Sequence, residues 1–211
     1  RETSAEGGMA RVSMTFIEAG KAPLPTVRTD NRSRTRQAAT AVTNAAAEAF
    51  EEGFSVLGAP GFVLEAASAQ VVGLTEFLKP SNLGRPLGSL EDFAYQVRSL
   101  AAEASDLVQA PADLAERIID VFRTVGDSFE HSADALQRAF DRYRSDDDAI
   151  DTGAASRQRM NANTAAFNAL VRQAALAEAS AQSVAAEHPS YEDAQAARDG
   201  LVERMDSESE A

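Results

Sequence analysis

Apolar residues step through most of this chain at intervals of three and four, the spacing that places them on one face of an α-helix. The longest run lies between residues 160 and 184, where two interleaved series recur every seven residues. The series are Met160, Phe167, Ala174 and Ala181, and, three positions further on, Asn163, Leu170, Ala177 and Val184. Such series are typical of the a and d positions of a coiled coil. The chain is therefore predicted to be mainly α-helical, with heptad-like seams.

Glycines, prolines and polar loops divide this pattern into six or seven helices. The predicted helices span about 33–57, 61–78, 89–107, 111–126, 132–143, 154–187 and 190–205. In the first of them one apolar stripe is predicted, with Val42, Ala46, Ala49, Phe50 and Phe54 among its members. Short connections between the helices favour an elongated bundle, or one built from helical hairpins.

Alanine supplies much of the apolar content, which is 44% of the chain, while aromatic residues make up 6% and tryptophan is absent. Alanine is the best helix former, but it buries little surface. We therefore expect a thin core and seams that let helices approach closely. Phe167, Leu170 and Val184, on the longest seam, are the candidates for contact with helices of the same or neighbouring copies.

A different pattern precedes the helices. Polar and apolar residues alternate from Arg11 to Ile17, which is the period of a half-buried strand. Gly20, Pro23 and Pro25 then favour an extended arm. A lone strand cannot satisfy its own backbone hydrogen-bonding groups, so its partner is expected outside these helices.

We accordingly expect the chain to be a segment of a longer protein, divided into four parts. These are residues 1–20 with the predicted strand, 21–32 as an extended basic linker, 33–206 as an α-helical domain, and 207–211 as a polar tail.

Charge is distributed unevenly along the chain, whose net charge is −13. Residues 1–36 carry seven basic and four acidic side chains, a net of +3, and residues 37–211 carry 13 and 29, a net of −16. An acidic helical body repels a phosphate backbone, so DNA is not favoured as its partner. Cysteine is absent, which excludes disulfides and thiolate chemistry. No apolar run has the roughly 18 residues of a membrane span, so no membrane partner is expected.

The one concentrated basic feature is an arginine cluster formed by Arg28, Arg32, Arg34 and Arg36. Three interpretations stay open. The cluster docks onto an acidic neighbour, such as an adjacent copy; it is a solvated linker; or it binds DNA phosphates without sequence discrimination.

Residues suited to catalysis or metal binding do not converge in the sequence. His131 and His188 lie far apart in predicted loops, and the acidic loop at 146–151 lacks the register of a calcium-binding loop. No nucleophile, phosphate-loop or dinucleotide motif occurs. We therefore expect no enzyme activity, no cofactor and no metal.

Two segments carry a family resemblance. "VSMTFIEAG", followed by a proline-containing arm and an alanine-rich helix ending near "FEEGFSV", and later "HPSYEDAQAARDGLVERMDSE", resemble the DNA circularisation (DNA circulation) proteins of Mu-like contractile-tailed phages and prophages. In the second segment Glu192 stands at the first acidic position of the family's Ser-Tyr-Asp-Asp-Ala type motif. Together the two segments cover about a quarter of the chain. The resemblance implies that the whole chain is the helical middle region of such a protein.

The resemblance implies a structural component of a contractile phage tail, near the baseplate or hub, in a family implicated in circularising or protecting injected DNA. It implies assembly in the bacterial cytoplasm and residence in the virion tail. It also implies that residues 1–20 are the terminal strand of an N-terminal β domain that is otherwise missing. Expected partners are other tail or baseplate proteins and further copies of the chain in a symmetric ring. The alternative is a DNA-associated protein that acts on phage DNA through the arginine cluster.

Overall fold

The computed structural model describes residues 31–144 and 154–185, together with five helical positions between residues 192 and 200. Eight continuous helices lie in the described part. They are α1 (Asn31–Gly53), α2 (Gly61–Phe77), α3 (Pro80–Leu83), α4 (Glu91–Ala102), α5 (Ala104–Leu107), α6 (Pro111–Ser128), α7 (Ser132–Arg142) and α8 (Ala155–Ala185). The prediction of a mainly α fold is confirmed. The predicted strand, the arm before residue 31, the acidic loop and the polar tail lie outside the described residues.

Helix α8 is the element around which the others are arranged. It packs against α1, α2, α6 and α7. Helix α1 runs antiparallel to it, since Arg36 lies near Glu178 at one end and Ser55 bonds to Asn163 at the other. The seam residues between Asn163 and Ala177 are buried, so this part of the seam on α8 is filled by the chain itself.

Helices α4 and α6 form a second antiparallel pair. Thr124 Oγ1 donates to Gln96 Oε1 at 2.9 Å, and Arg117 Nη1 donates to Ser99 Oγ at 2.8 Å. Beneath them, the ring of Phe93 meets that of Phe129 edge-on, with the centroids 5.2 Å apart. Edge-on contact is a preferred arrangement of aromatic rings.

The core is thicker than the alanine content suggested. Six of the ten phenylalanines are fully buried, namely Phe50, Phe93, Phe122, Phe129, Phe140 and Phe167. A buried aromatic side chain removes far more surface from water than alanine does, so a few of them supply much of the burial. The expectation of a thin core was wrong, because it rested on the small number of aromatic residues. That number does not show how many of them are buried.

Several helix boundaries differ from the prediction. Helix α1 begins at Asn31, and the short helix α3 lies in a segment predicted as loop. The predicted helix 89–107 is divided into α4 and α5 at Glu103. Helix α6 continues past Gly126 to Ser128, so this glycine does not end the helix.

The connection before α4 pairs with the connection after α6. Leu87 N–H donates to Ser128 O at 2.9 Å and Glu130 N–H donates to Arg85 O at 2.8 Å, forming an isolated antiparallel bridge between Pro86 and Phe129. His131, which follows Glu130, has a φ of 55°, in the left-handed region.

Candidate functional site

The exposed flank of α1 is the first candidate surface. Ala38, Val42, Ala45 and Ala49 recur at steps of four, three and four and are all exposed, with 43% of Val42 accessible to solvent. We call these four residues the α1 stripe. The same helix buries Ala46 and Phe50 against the bundle. At about 100° per residue the α1 stripe lies beside this buried face, so the apolar arc of α1 is wider than the bundle covers.

On the other flank of the buried face, α1 borders a polar cleft of about 210 Å³ shared with α6 and α8. Its polar lining includes Arg36, Thr40, Arg123, Asp127, Glu178 and Gln182, above a floor that includes alanines of α1 and α8. Alanines at these positions leave the space that larger side chains would fill. The cleft therefore brings two guanidinium and two carboxyl groups together around a small cavity.

Glu178 is a half-buried carboxyl group in this cleft. Gln182 Nε2 donates to its Oε1 at 2.8 Å. Burial raises the pKa of Glu178 above its ordinary value and nearby Asp127 adds to this, while the hydrogen bond from Gln182 and the positive charges of Arg123 and Arg36 oppose it. The carboxyl group therefore holds its proton more tightly than an exposed glutamate does.

Gly126 makes room for this carboxyl group. A Cβ at position 126 would overlap Glu178 and would lie 2.7 Å from Gln182 Nε2. A larger residue here would therefore displace the flexible ends of these two side chains. No local sequence pattern predicts this contact, because Gly126 and Glu178 are distant in the chain.

The structure separates the predicted site residues. Arg28 lies outside the described residues, and Arg32 and Arg34 occupy positions on α1 whose side chains are not described. Arg36 is exposed and lines the polar cleft. Arg32, Arg34 and Arg36 therefore belong to a helix. Residues 31 and 32, which were predicted to be part of the linker, are the first residues of α1.

Two of the seam residues predicted to contact a partner are instead buried inside this chain. Phe167 and Leu170 are each only 1% exposed and belong to the core of this chain, where the ring of Phe167 meets Tyr143 edge-on with centroids 6.2 Å apart. Neither can contact another protein unless the helices separate. Val184 lies on α8, and its side chain is outside the described set.

Other candidates from the sequence are placed as follows. His131 is exposed, and His188 lies outside the described residues. In the described ranges no three His, Asp or Glu side chains converge as a metal site requires. None of the described helices combines the length and the hydrophobicity of a bilayer-spanning segment.

Comparison with known proteins gives no match to a family model, to a characterised protein or to a solved structure.

Proposed function

We propose that this chain is a structural subunit of a contractile phage tail, in the baseplate or hub region, and that it acts by helix-mediated assembly rather than by catalysis. The assignment to a phage tail is supported by the resemblance of its two marker segments to the DNA circularisation family. The observation that carries the assembly role is the α1 stripe, an apolar helix flank that the bundle leaves exposed.

The composition of the α1 stripe suits a helix as its partner. Three of its four members are alanine, so the backbone of a second helix can approach α1 closely, while Val42 offers a larger apolar contact. Small side chains bury little area each, and burial of apolar surface stabilises by roughly 25 cal/mol per Å². A single contact is therefore weak, and a symmetric ring of subunits would combine many such contacts into a stable assembly.

A matched pair of substitutions tests the assembly role. Val42→Glu places a charge in the α1 stripe, whereas Asn44→Glu places the same charge on an exposed position of the same helix about 160° away around the axis. We expect Val42→Glu to weaken association of the purified chain with itself or with co-expressed tail proteins, measured by sedimentation velocity, and Asn44→Glu to leave it unchanged. Equal behaviour of the two variants would contradict the role of the α1 stripe.

The phage-tail assignment has its own test. A density map of an intact contractile tail from a phage that encodes this chain should contain the α1–α8 bundle in the baseplate or hub. A tail that lacks the chain, combined with salt-sensitive binding of the purified chain to duplex DNA, would instead support a DNA-associated protein.

A further inference from the structure

One surface groove gathers positive charge on an otherwise acidic body. The groove, of about 360 Å³, is lined by Glu76, Phe77, Asn82, Arg138 and Arg142, and we call it the basic groove. Arg138 Nη2 donates to Asn82 O at 3.0 Å, and the guanidinium of Arg142 lies 5.8 Å from the ring centroid of Phe77. The single carboxylate in the lining, Glu76, forms an ion pair with Lys79. Its charge is thereby compensated, and the two arginines dominate the groove.

The two arginines are arranged as a receptor for carboxylates. They stand four residues apart on α7 and therefore on the same face of that helix. Each guanidinium presents five N–H donors in a planar fork that matches a carboxylate, and both side chains are exposed. Contacts with Asn82 and Phe77 hold them at the groove, and Arg142 also hydrogen-bonds to the side chain of Tyr143.

A second groove has the opposite charge. It measures about 610 Å³ and lies where α4 and α5 meet α6. Its charged lining consists of Glu103, Asp106, Asp113, Glu116 and Asp120, against the single cation Arg117. We call it the acidic groove.

The cations near the acidic groove are already engaged. Arg117 Nη2 lies 3.1 Å from Glu103 Oε2, and Arg123 Nη1 lies 2.6 Å from Asp120 Oδ1. Asp106, Asp113 and Glu116 have no ion pair within the described part of the chain. These three carboxylates are thus exposed together without a countercharge from the described residues.

We propose that the acidic groove of one copy of this chain docks into the basic groove of another. The two grooves are lined by different helices, so each copy offers one surface of each sign and the contact is head-to-tail. A head-to-tail contact closes into a ring or extends as a filament, according to the rotation that it imposes. The inference deepens the proposed function by naming one partner and the surfaces that meet it. Charge complementarity would fix which faces meet, while the α1 stripe adds apolar burial.

Charge reversal on each side tests the pairing with the full chain. One variant carries Arg138→Glu and Arg142→Glu; the other carries Asp106→Lys and Glu116→Lys. Each alone should weaken self-association by about tenfold or more in sedimentation velocity at low ionic strength. The first variant presents two acidic grooves, and in the second the acidic groove is left with three acidic and three basic side chains, so its charges cancel. An equimolar mixture should regain association, since the unmodified acidic groove of the first variant meets the unmodified basic groove of the second.

Controls keep the test decisive. Arg157→Glu and Glu51→Lys reverse exposed charges outside both grooves and should leave association unchanged. If a reversal variant loses helical circular dichroism, Arg138→Gln with Arg142→Gln, and Asp106→Asn with Glu116→Gln, replace it. Association of the wild type should also fall between about 0.05 M and about 0.5 M salt as screening increases.

Three outcomes would overturn the proposal: a wild-type chain that stays monomeric, reversal variants that associate like the wild type, or a mixture that does not recover. If association persists in the reversal variants but is lost in Val42→Glu, the groove pairing fails and the proposed assembly role stands. If Arg138→Glu with Arg142→Glu abolishes DNA binding and leaves self-association intact, the basic groove serves phosphates instead.

Discussion

Asn163 and Ser55 exchange two hydrogen bonds: Ser55 N–H donates to Asn163 Oδ1 at 2.9 Å, and Asn163 Nδ2 donates to Ser55 O at 3.1 Å. Asn163 is 3% exposed and stands in the heptad seam among apolar residues. The pair ties the segment after α1 to the first half of α8. A buried amide that is satisfied by one backbone site fixes the register of the two helices, because no other register brings both groups together.

Replacing this amide should destabilise the fold. Asn163→Ala removes both hydrogen bonds and leaves the backbone groups of Ser55 to bond with water, so we expect a loss of about 1–2 kcal/mol in the free energy of unfolding. Asn168→Ala, on the same helix, is the matched control and should change it by less than about 0.5 kcal/mol. Urea denaturation of both variants measures the difference. Equal stability of the two would show that the amide pair contributes nothing.

Gly126→Ala should gain less stability than Gly73→Ala. The new Cβ would displace the flexible ends of Glu178 and Gln182 and disturb the hydrogen bond between them, which should offset most of the roughly 0.5–1 kcal/mol by which alanine favours a helix over glycine. Gly73→Ala is the control, because nothing lies within 4 Å of a Cβ there; it should stabilise by about 0.5–1 kcal/mol. In a Glu178→Ala background, Gly126→Ala should stabilise nearly as much as Gly73→Ala does, which a double-mutant cycle measures.

The raised pKa of Glu178 makes a prediction about pH. Because burial raises the pKa in the folded state, the folded chain binds this proton more tightly than the unfolded chain does. The contribution of Glu178 to stability is therefore largest at pH values below the pKa of the unfolded chain, and it is lost as pH rises through the folded pKa. Glu178→Gln keeps an acceptor for Gln182 and cannot ionise. It should raise the melting temperature at neutral pH relative to the wild type, and the gain should disappear below about pH 4.

Phe167→Ala separates folding from association. The side chain is buried in this chain's own core, so its loss should cost about 3–5 kcal/mol in the free energy of unfolding. Association of the fraction that remains folded should be unaffected. A variant with wild-type stability and weakened assembly would show that Phe167 contacts a partner, as the sequence predicted.

His131→Gly should stabilise the chain. A φ of 55° brings the Cβ of a non-glycine residue close to its own backbone, and glycine avoids that strain. We expect a gain of up to about 1 kcal/mol by chemical denaturation. His131→Val, whose branched side chain is worse suited to this conformation, should lower stability. A loss on introducing glycine would indicate that the imidazole makes a contribution that outweighs the strain.

The sequence was most informative where breakers and periodicity agreed. Pro111 opens α6 as predicted, and the predicted bounds of α7 and α8 lie within two residues of the observed ones. Periodicity could not distinguish a face buried by the chain from one left for a partner. The predicted stripe of α1 contains buried Ala46 and exposed Val42 and Ala49, because alanine and valine at helical spacing are compatible with both environments.

The same ambiguity affected the candidate sites. Phe167 and Leu170 were assigned to a partner because a heptad seam does not specify which polypeptide fills it. The grooves and the contact between Gly126 and Glu178 depend on residues from separate helices, and no local pattern marks such meetings. Only Arg36 among the arginines of the cluster has a described side chain at a charged surface, the polar cleft.

The small antiparallel bridge between Pro86 and Phe129 has a mechanical consequence. It joins two connections that would otherwise be independent loops, and Arg85 and Leu87 are held by backbone bonds on either side of the proline. A protease that cleaves after Leu87 needs several residues of unpaired, extended chain, so this junction must open before it can be cut. A pull transmitted along α4 would then reach the α6–α7 corner through two backbone hydrogen bonds as well as through side-chain contacts.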